Sequence, residues 1–249
     1  MRGAKGRNWF DLCAAVRKRS FETGWREDGS NGYIWSVSTP SVRSYEYHHS
    51  RAGEVVKHLI GEDYDGVLGS DFYAGYNIHQ GLHQRCWVHF LRDRHELKEK
   101  YPHDEELFTW AVSVMAIYEA AVSWAEHGPD PHLSPLKQQQ ARVAQQHAYE
   151  QQLWHLYQPY VGTATPQHTF CERVERFLPE LFVFVAVPGG PAHNNLAERS
   201  VRPLVVARKI SGVPAVRKAP RPGWDSPISL APGWLSTSIL STNAWLPSP

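Results

Sequence analysis

The stretch Gly66-Val67-Leu68-Gly69-Ser70-Asp71 constrains the fold most. A short apolar run of this kind fits a strand buried on both faces, and its last residue delivers a carboxylate to the edge of a sheet. The preceding sequence supplies neighbours for it. Tyr33, Ile34, Trp35 and Val37, followed by residues 41–49, predict two strands joined by a tight turn at Pro40. Ala52, Val55, Val56 and Leu59 then fall at helical spacing within 51–60, and Gly61 can end that helix. The order β-β-α leads to the buried run, and Asp71 is a positioned candidate for chemistry.

From Cys86 to about Tyr160 the pattern turns helical. Residues 89–100, 104–126 and 135–157 carry few strand signals, with Pro102 and the 128–135 stretch as punctuation. The Gln residues at 138–140, 145, 146, 151 and 152 suit a solvated helix face. A further helix over about 166–177 is expected to lead into a strand at 181–187 and a Pro-Gly-Gly-Pro loop. A last helix, 193–201, could be capped by Asn194 or Asn195 and limited by Pro203. These elements predict a mixed α/β domain interrupted by an all-helical insertion.

Charge and composition narrow the setting. Twenty-six basic residues against 25 acidic ones leave a balance of +1, so any affinity for nucleic acid must come from local patches. The most strongly apolar stretch, Leu181 to Val187, is far shorter than the ~20 residues that span a bilayer, so no membrane partner is expected. Three cysteines, Cys13, Cys86 and Cys171, do not suggest a disulfide framework. Residues 1–20 carry six Lys or Arg without the apolar core of a secretory signal, and a cytoplasmic location is expected. Residues 213–249 hold seven Pro, six Ser and three Trp with Asp225 as their single acid. Such a segment predicts disorder, as a natural Pro-rich tail or, favoured by the abrupt change in composition, as translation in a shifted frame.

Asp71 at a strand end and Glu198 on the last helix can converge if that helix packs beside the strand. Two carboxylates at one sheet edge suit a hard divalent ion, Mg²⁺ or Mn²⁺, and the phosphoryl-transfer chemistry such an ion supports. Spacing alone leaves an equal alternative, with Glu198 paired to Arg202 one turn later and Asp71 capping a following turn. Arg199, Arg202, Arg208 and Lys209 follow Glu198 with no acid among residues 199–212, a pattern suited to phosphate contact. Arg85, Arg92, Arg94, Lys98 and Lys100 alternate with Asp93, Glu96 and Glu99 and are expected on a solvated helix. Cys86 and His89 have the spacing of half a zinc site. Four ligands would be needed for a structural site, and His83, His168 and Cys171 could contribute only through the fold.

The segment His193-Asn194-Asn195-Leu196-Ala197-Glu198-Arg199-Ser200-Val201-Arg202-Pro203 resembles the signature of the insertion-sequence 66 family of bacterial transposases. The resemblance extends, in matching order, to Glu22-Thr23-Gly24-Trp25, Gly32-Tyr33-Ile34-Trp35, Ser70-Asp71-Phe72-Tyr73-Ala74-Gly75-Tyr76, Cys86-Trp87-Val88-His89 and Ala207-Arg208-Lys209-Ile210-Ser211-Gly212. It implies a ribonuclease-H-like catalytic core over about 21–212, with the helical insertion at about 90–165. It also implies an Asp, Asp, Glu metal triad that cuts transposon ends and joins them to target DNA.

Carried over by position, Asp71 matches the second carboxylate and Glu198 the third. Where the family pattern has the first Asp, before Glu22, this chain has Phe21, which cannot bind a metal. Glu22 should point to the opposite face if this segment is a strand, and Asp28 is the other nearby substitute. The resemblance fails before about residue 20 and after Gly212, as in a decayed copy. The expected function is therefore a DNA transposase core, with DNA and a second copy of the chain as its expected partners, that has lost activity through Phe21, or else a non-catalytic DNA-binding remnant.

Overall fold

The computed structural model describes residues 17–27 and 29–211. Most of the basic leader, Asp28 and the Pro-rich segment 213–249 lie outside the described residues, and so do the expectations attached to them. The first strand, β1 (Lys18–Glu27), opens three residues ahead of the expected core boundary at 21. It pairs antiparallel with β2 (Ser30–Ser38), which pairs antiparallel with β3 (Arg43–His48). After helix α1 (Gly53–Ile60), β4 (Leu68–Ser70) joins β1 in parallel, and β5 (His83–Arg85) joins β4 in parallel. The sheet order is β3-β2-β1-β4-β5.

The alternation of side chains along the strands divides the work between two faces. Trp35, Val37 and Leu68 form an apolar cluster with Val55, Val56 and Ile60 of α1, and with Tyr76 from a 3-10 turn, Ala74–Ile78. Glu22 stands opposite Trp35 in the β1–β2 ladder and shares that face. Phe21 stands opposite Ser36 and faces the other way. That second face receives α7 (Asn195–Ser211), where Ser36 Oγ and Ser200 Oγ meet at 2.5 Å and Tyr45 donates to the Ser200 carbonyl at 2.8 Å.

The helices α2 (Trp87–Lys100), α3 (Glu105–His127) and α4 (Pro135–Tyr157) follow β5. Asp104 caps α3 through the Leu107 N–H, and Ser134 with Pro135 starts α4. With α5 (His168–Leu181) they enclose an aromatic core in which Trp87, Phe90, Trp110, Tyr157 and Phe170 are all nearly inaccessible. Helix α3 is also long and apolar enough, by length and composition, to cross a membrane; its Leu107, Trp110, Ala111 and Val114 are buried in this core.

Three sequence expectations are corrected. Residues 181–187 form no strand: they complete α5 and build α6 (Val183–Ala186). Every residue of the run is buried, so it lacks the one-sided periodicity that separates strand from helix. Its polar backbone is satisfied by side chains, with Gln84 accepting from Phe184 N–H and Trp87 Nε1 donating to Leu181. Pro203 does not limit the last helix, which runs on to Ser211. The bond that Pro203 forfeits is outweighed by packing of Ala197, Ser200 and Val201 against the sheet, all of them buried. Arg85 is no solvated helix residue; it lies on β5 with its side chain fully buried.

Ser200→Ala is expected to cost about 1 kcal/mol in urea unfolding, because Ser36 keeps Ser38 Oγ at 3.4 Å as a second partner. A loss of several kcal/mol would show that α7 depends on this hydroxyl far more than on its apolar contacts.

Candidate active site

The end of β4 sets the position of Asp71. Ser70 is the last strand residue, opposite Arg85, and its carbonyl accepts from the Cys86 N–H at 2.8 Å. One step further, Asp71 Oδ1 accepts the Tyr73 N–H at 2.9 Å and closes a tight turn, so the capping role weighed from sequence is present. Its backbone carbonyl accepts from Arg85 Nη1 at 2.9 Å. Arg85 is in turn held by Glu180 and Asn77, at 2.6 and 2.5 Å. A buried guanidinium with three acceptors fixes the strand end on which Asp71 stands. Sequence missed this role because the partners come from three separate segments.

The start of α7 is tied to the same region. Asn194 is buried; its side chain donates to the Ser20 carbonyl at 2.7 Å and its N–H to Cys86 Sγ at 3.1 Å. The Asn194 carbonyl accepts from both Ala197 and Glu198, at 3.0 and 3.2 Å. The double-asparagine motif thus joins β1, the residue after β5 and the first turn of α7. One turn into the helix, Glu198 is about 29% exposed.

Around Glu198 stand Cys86 and His89. The Cys86 sulfur lies 4.0 Å and His89 Nδ1 3.7 Å from Glu198 Oε1. All three ligand atoms fall within 4.8 Å of one another. Burial pushes the Cys86 thiol up, opposed by the Asn194 N–H that points at the sulfur. The other cysteine and histidines considered for a zinc site are engaged elsewhere. His83 bonds Ser70 at 2.7 Å, His168 faces the Tyr160 carbonyl, and Cys171 is buried against Tyr157 and Gln167.

Glu22 is unsuited to replace an acid at position 21. It is buried on the α1 face, where Arg51 pairs with it and Tyr76 donates to it at 2.5 Å. Burial raises its carboxyl above the ordinary range, and the nearby Asp71 charge adds to this; Tyr76 and Arg51 oppose the rise. Arg51 also stacks 4.1 Å from the centre of the Tyr73 ring.

The basic residues after Glu198 divide. Arg199, Arg202 and Lys209 are exposed. Arg208 donates to the Gly24 carbonyl and lies 5.5 Å from the centre of the Trp25 ring, so it holds α7 to β1. No Glu198–Arg202 ion pair forms among the described residues.

Among comparisons with known proteins, the model of the family described as "Transposase IS66 family" matches residues 15–218. No curated protein matches.

Proposed function

Because the chain belongs to the IS66 family of transposases, whose chemistry generally uses a divalent metal and acts on DNA, we propose that it is a DNA transposase catalytic core disabled by Phe21. The observation that carries this assignment is the tethering of α7 to the end of the β4–β5 pair. Asn194 links Glu198 to Cys86, and Cys86 links to the strand residue that precedes Asp71. The sheet order, with two antiparallel strands and parallel β1, β4 and β5, also supports a ribonuclease-H-like core.

The donor set fits a hard ion in part. Asp71 and Glu198 offer carboxylate oxygens suited to Mg²⁺ or Mn²⁺, while Phe21 turns an apolar ring toward the face that α7 covers. Such an ion supplies charge neutralisation on the phosphate and activation of the attacking oxygen. In this chain Asp71 and Glu198 would hold it, Arg85 and Asn194 keep their backbones in place, and Arg199 and Arg202 steady the DNA phosphates. The protein would act in the cytoplasm at the nucleoid, as a homo-oligomer on transposon ends and target DNA.

Calorimetric titration with Mn²⁺ tests the assignment. Weak binding that disappears in Glu198→Ala supports the site, and metal-dependent nicking of supercoiled plasmid by the unaltered chain would overturn the claim of inactivity. The alternative favoured by Phe21 is a DNA-binding remnant without catalysis, expected to bind DNA in a salt-dependent way with no metal requirement. In either case Arg199→Gln with Arg202→Gln should reduce the magnitude of the slope of log affinity against log salt by about 2, from ~0.9 per phosphate contact. An unchanged slope would remove these two arginines from the DNA surface.

A further inference from the structure

The donor atoms gathered on Glu198 are of a different chemical kind from the oxygen ligands of a phosphoryl-transfer site. Sulfur, imidazole nitrogen and carboxylate oxygen together suit a borderline ion better than Mg²⁺. Two further observations point to a ligand here. His89 Nδ1 is buried and has no hydrogen-bond partner among the described residues, although its neighbour is a carboxylate. The separations of 3.7 Å and 4.0 Å from Glu198 Oε1 approach the edges of a tetrahedral zinc shell, roughly 3.4 Å for N···O and 3.6 Å for S···O at ordinary bond lengths. A shift of Glu198 by about 0.4 Å, open to it because it is partly exposed on its helix, would bring these two edges to bonding length, and the Cys86 sulfur and His89 Nδ1 lie within 4.8 Å of each other.

We propose that Cys86, His89 and Glu198 form a three-ligand Zn²⁺ site with a fourth position open to solvent. On binding, the sulfur–zinc bond forms as the thiol proton leaves to solvent, and Glu198 is drawn toward Cys86 and His89. If Glu198 also serves the hard-ion site, a part of the inference that rests on the proposed function, Zn²⁺ and Mg²⁺ compete for one carboxylate and zinc displaces the hard ion.

Cobalt reports the site in the full chain, because a thiolate bound to Co²⁺ gives a charge-transfer absorption that nitrogen and oxygen ligands do not. A second cluster, Glu46 with His48 and His58, contains no sulfur and cannot produce the signal. The expected result is a charge-transfer band with Co²⁺ in the presence of excess Mg²⁺, removed by stoichiometric Zn²⁺. Cys86→Ser should abolish it, with far-ultraviolet circular dichroism confirming that the variant folds. His89→Gln and Glu198→Gln, which alter less buried side chains, should keep the band but weaken Co²⁺ and Zn²⁺ binding by at least the ~10- to 100-fold that loss of a supporting contact costs.

Asp71→Asn should leave the band unchanged. Absence of a band in the unaltered chain, or one that survives Cys86→Ser, overturns the zinc site. A band of normal strength together with Mn²⁺ binding indifferent to Asp71→Asn would instead overturn the hard-ion assignment and leave the zinc site standing.

Discussion

Phe21→Asp is expected to raise metal-dependent plasmid nicking by on the order of a thousandfold or more, and to convert weak Mn²⁺ binding into a defined stoichiometric site. The β1–β2 register places residue 21 opposite Ser36, on the face that carries α7, so a carboxylate there would point toward the helix that bears Glu198. A bridging carboxylate lets two ions share the charge of the attacking and leaving oxygens, and groups acting as a unit lose most of their effect when one is missing. The measurement is conversion of supercoiled to open-circular plasmid with Mn²⁺, comparing Phe21→Asp with Phe21→Asn. Equal rates for the two variants would show that position 21 is not a metal position, and the assignment of Asp71 and Glu198 would lose its third member.

Sequence carried the order of the elements well where one face of an element meets solvent. Helix α1 declared itself through Val55 and Val56, and the α3 and α4 limits through Asp104, Gly128 and Pro135. It failed where burial is complete. Residues 181–187 are covered on every side and show no period, and the three-residue strand β5 is too short to show one. Arg85 looked like one cation among many on a charged helix, although its fully buried side chain is held by Asp71, Asn77 and Glu180.

The chemistry divides in the same way. The motif around Glu198 was legible because its residues are consecutive, and alternation alone put Glu22 on the face opposite Phe21. The proximity of Cys86 and His89 to Glu198 was not legible, since it depends on how α7 meets the residue after β5. The zinc half-site therefore lacked a third ligand until the fold supplied one.

Arg51→Ala tests the charge arrangement beneath the site and should show a marked pH dependence. Glu22 is buried and Arg51 is its cationic partner, so removing Arg51 leaves a carboxylate that neither water nor a counter-ion neutralises. Breaking a fully buried pair costs roughly 3–5 kcal/mol; Arg51 is 39% exposed, and solvent screening reduces the expected cost to about 2–3 kcal/mol near pH 7. Burial, then the Asp71 charge, already raise the Glu22 carboxyl in the folded chain, and loss of Arg51 raises it further. A group raised in this way contributes stability fully below its unfolded pKa and loses it as pH rises through the folded value.

The variant should therefore differ little from the parent near pH 4, where Glu22 is protonated in both, and fall away as the pH approaches 7. Urea unfolding at the two pH values measures this. Glu22→Gln in the Arg51→Ala background should restore most of the loss at pH 7, because the amide can still accept from Tyr76 and carries no charge toward Asp71. A deficit that is independent of pH and not relieved by Glu22→Gln would mean that Arg51 acts through its packing on the Tyr33 and Tyr73 rings. The charge beneath Asp71 would then have to be set by groups other than this pair.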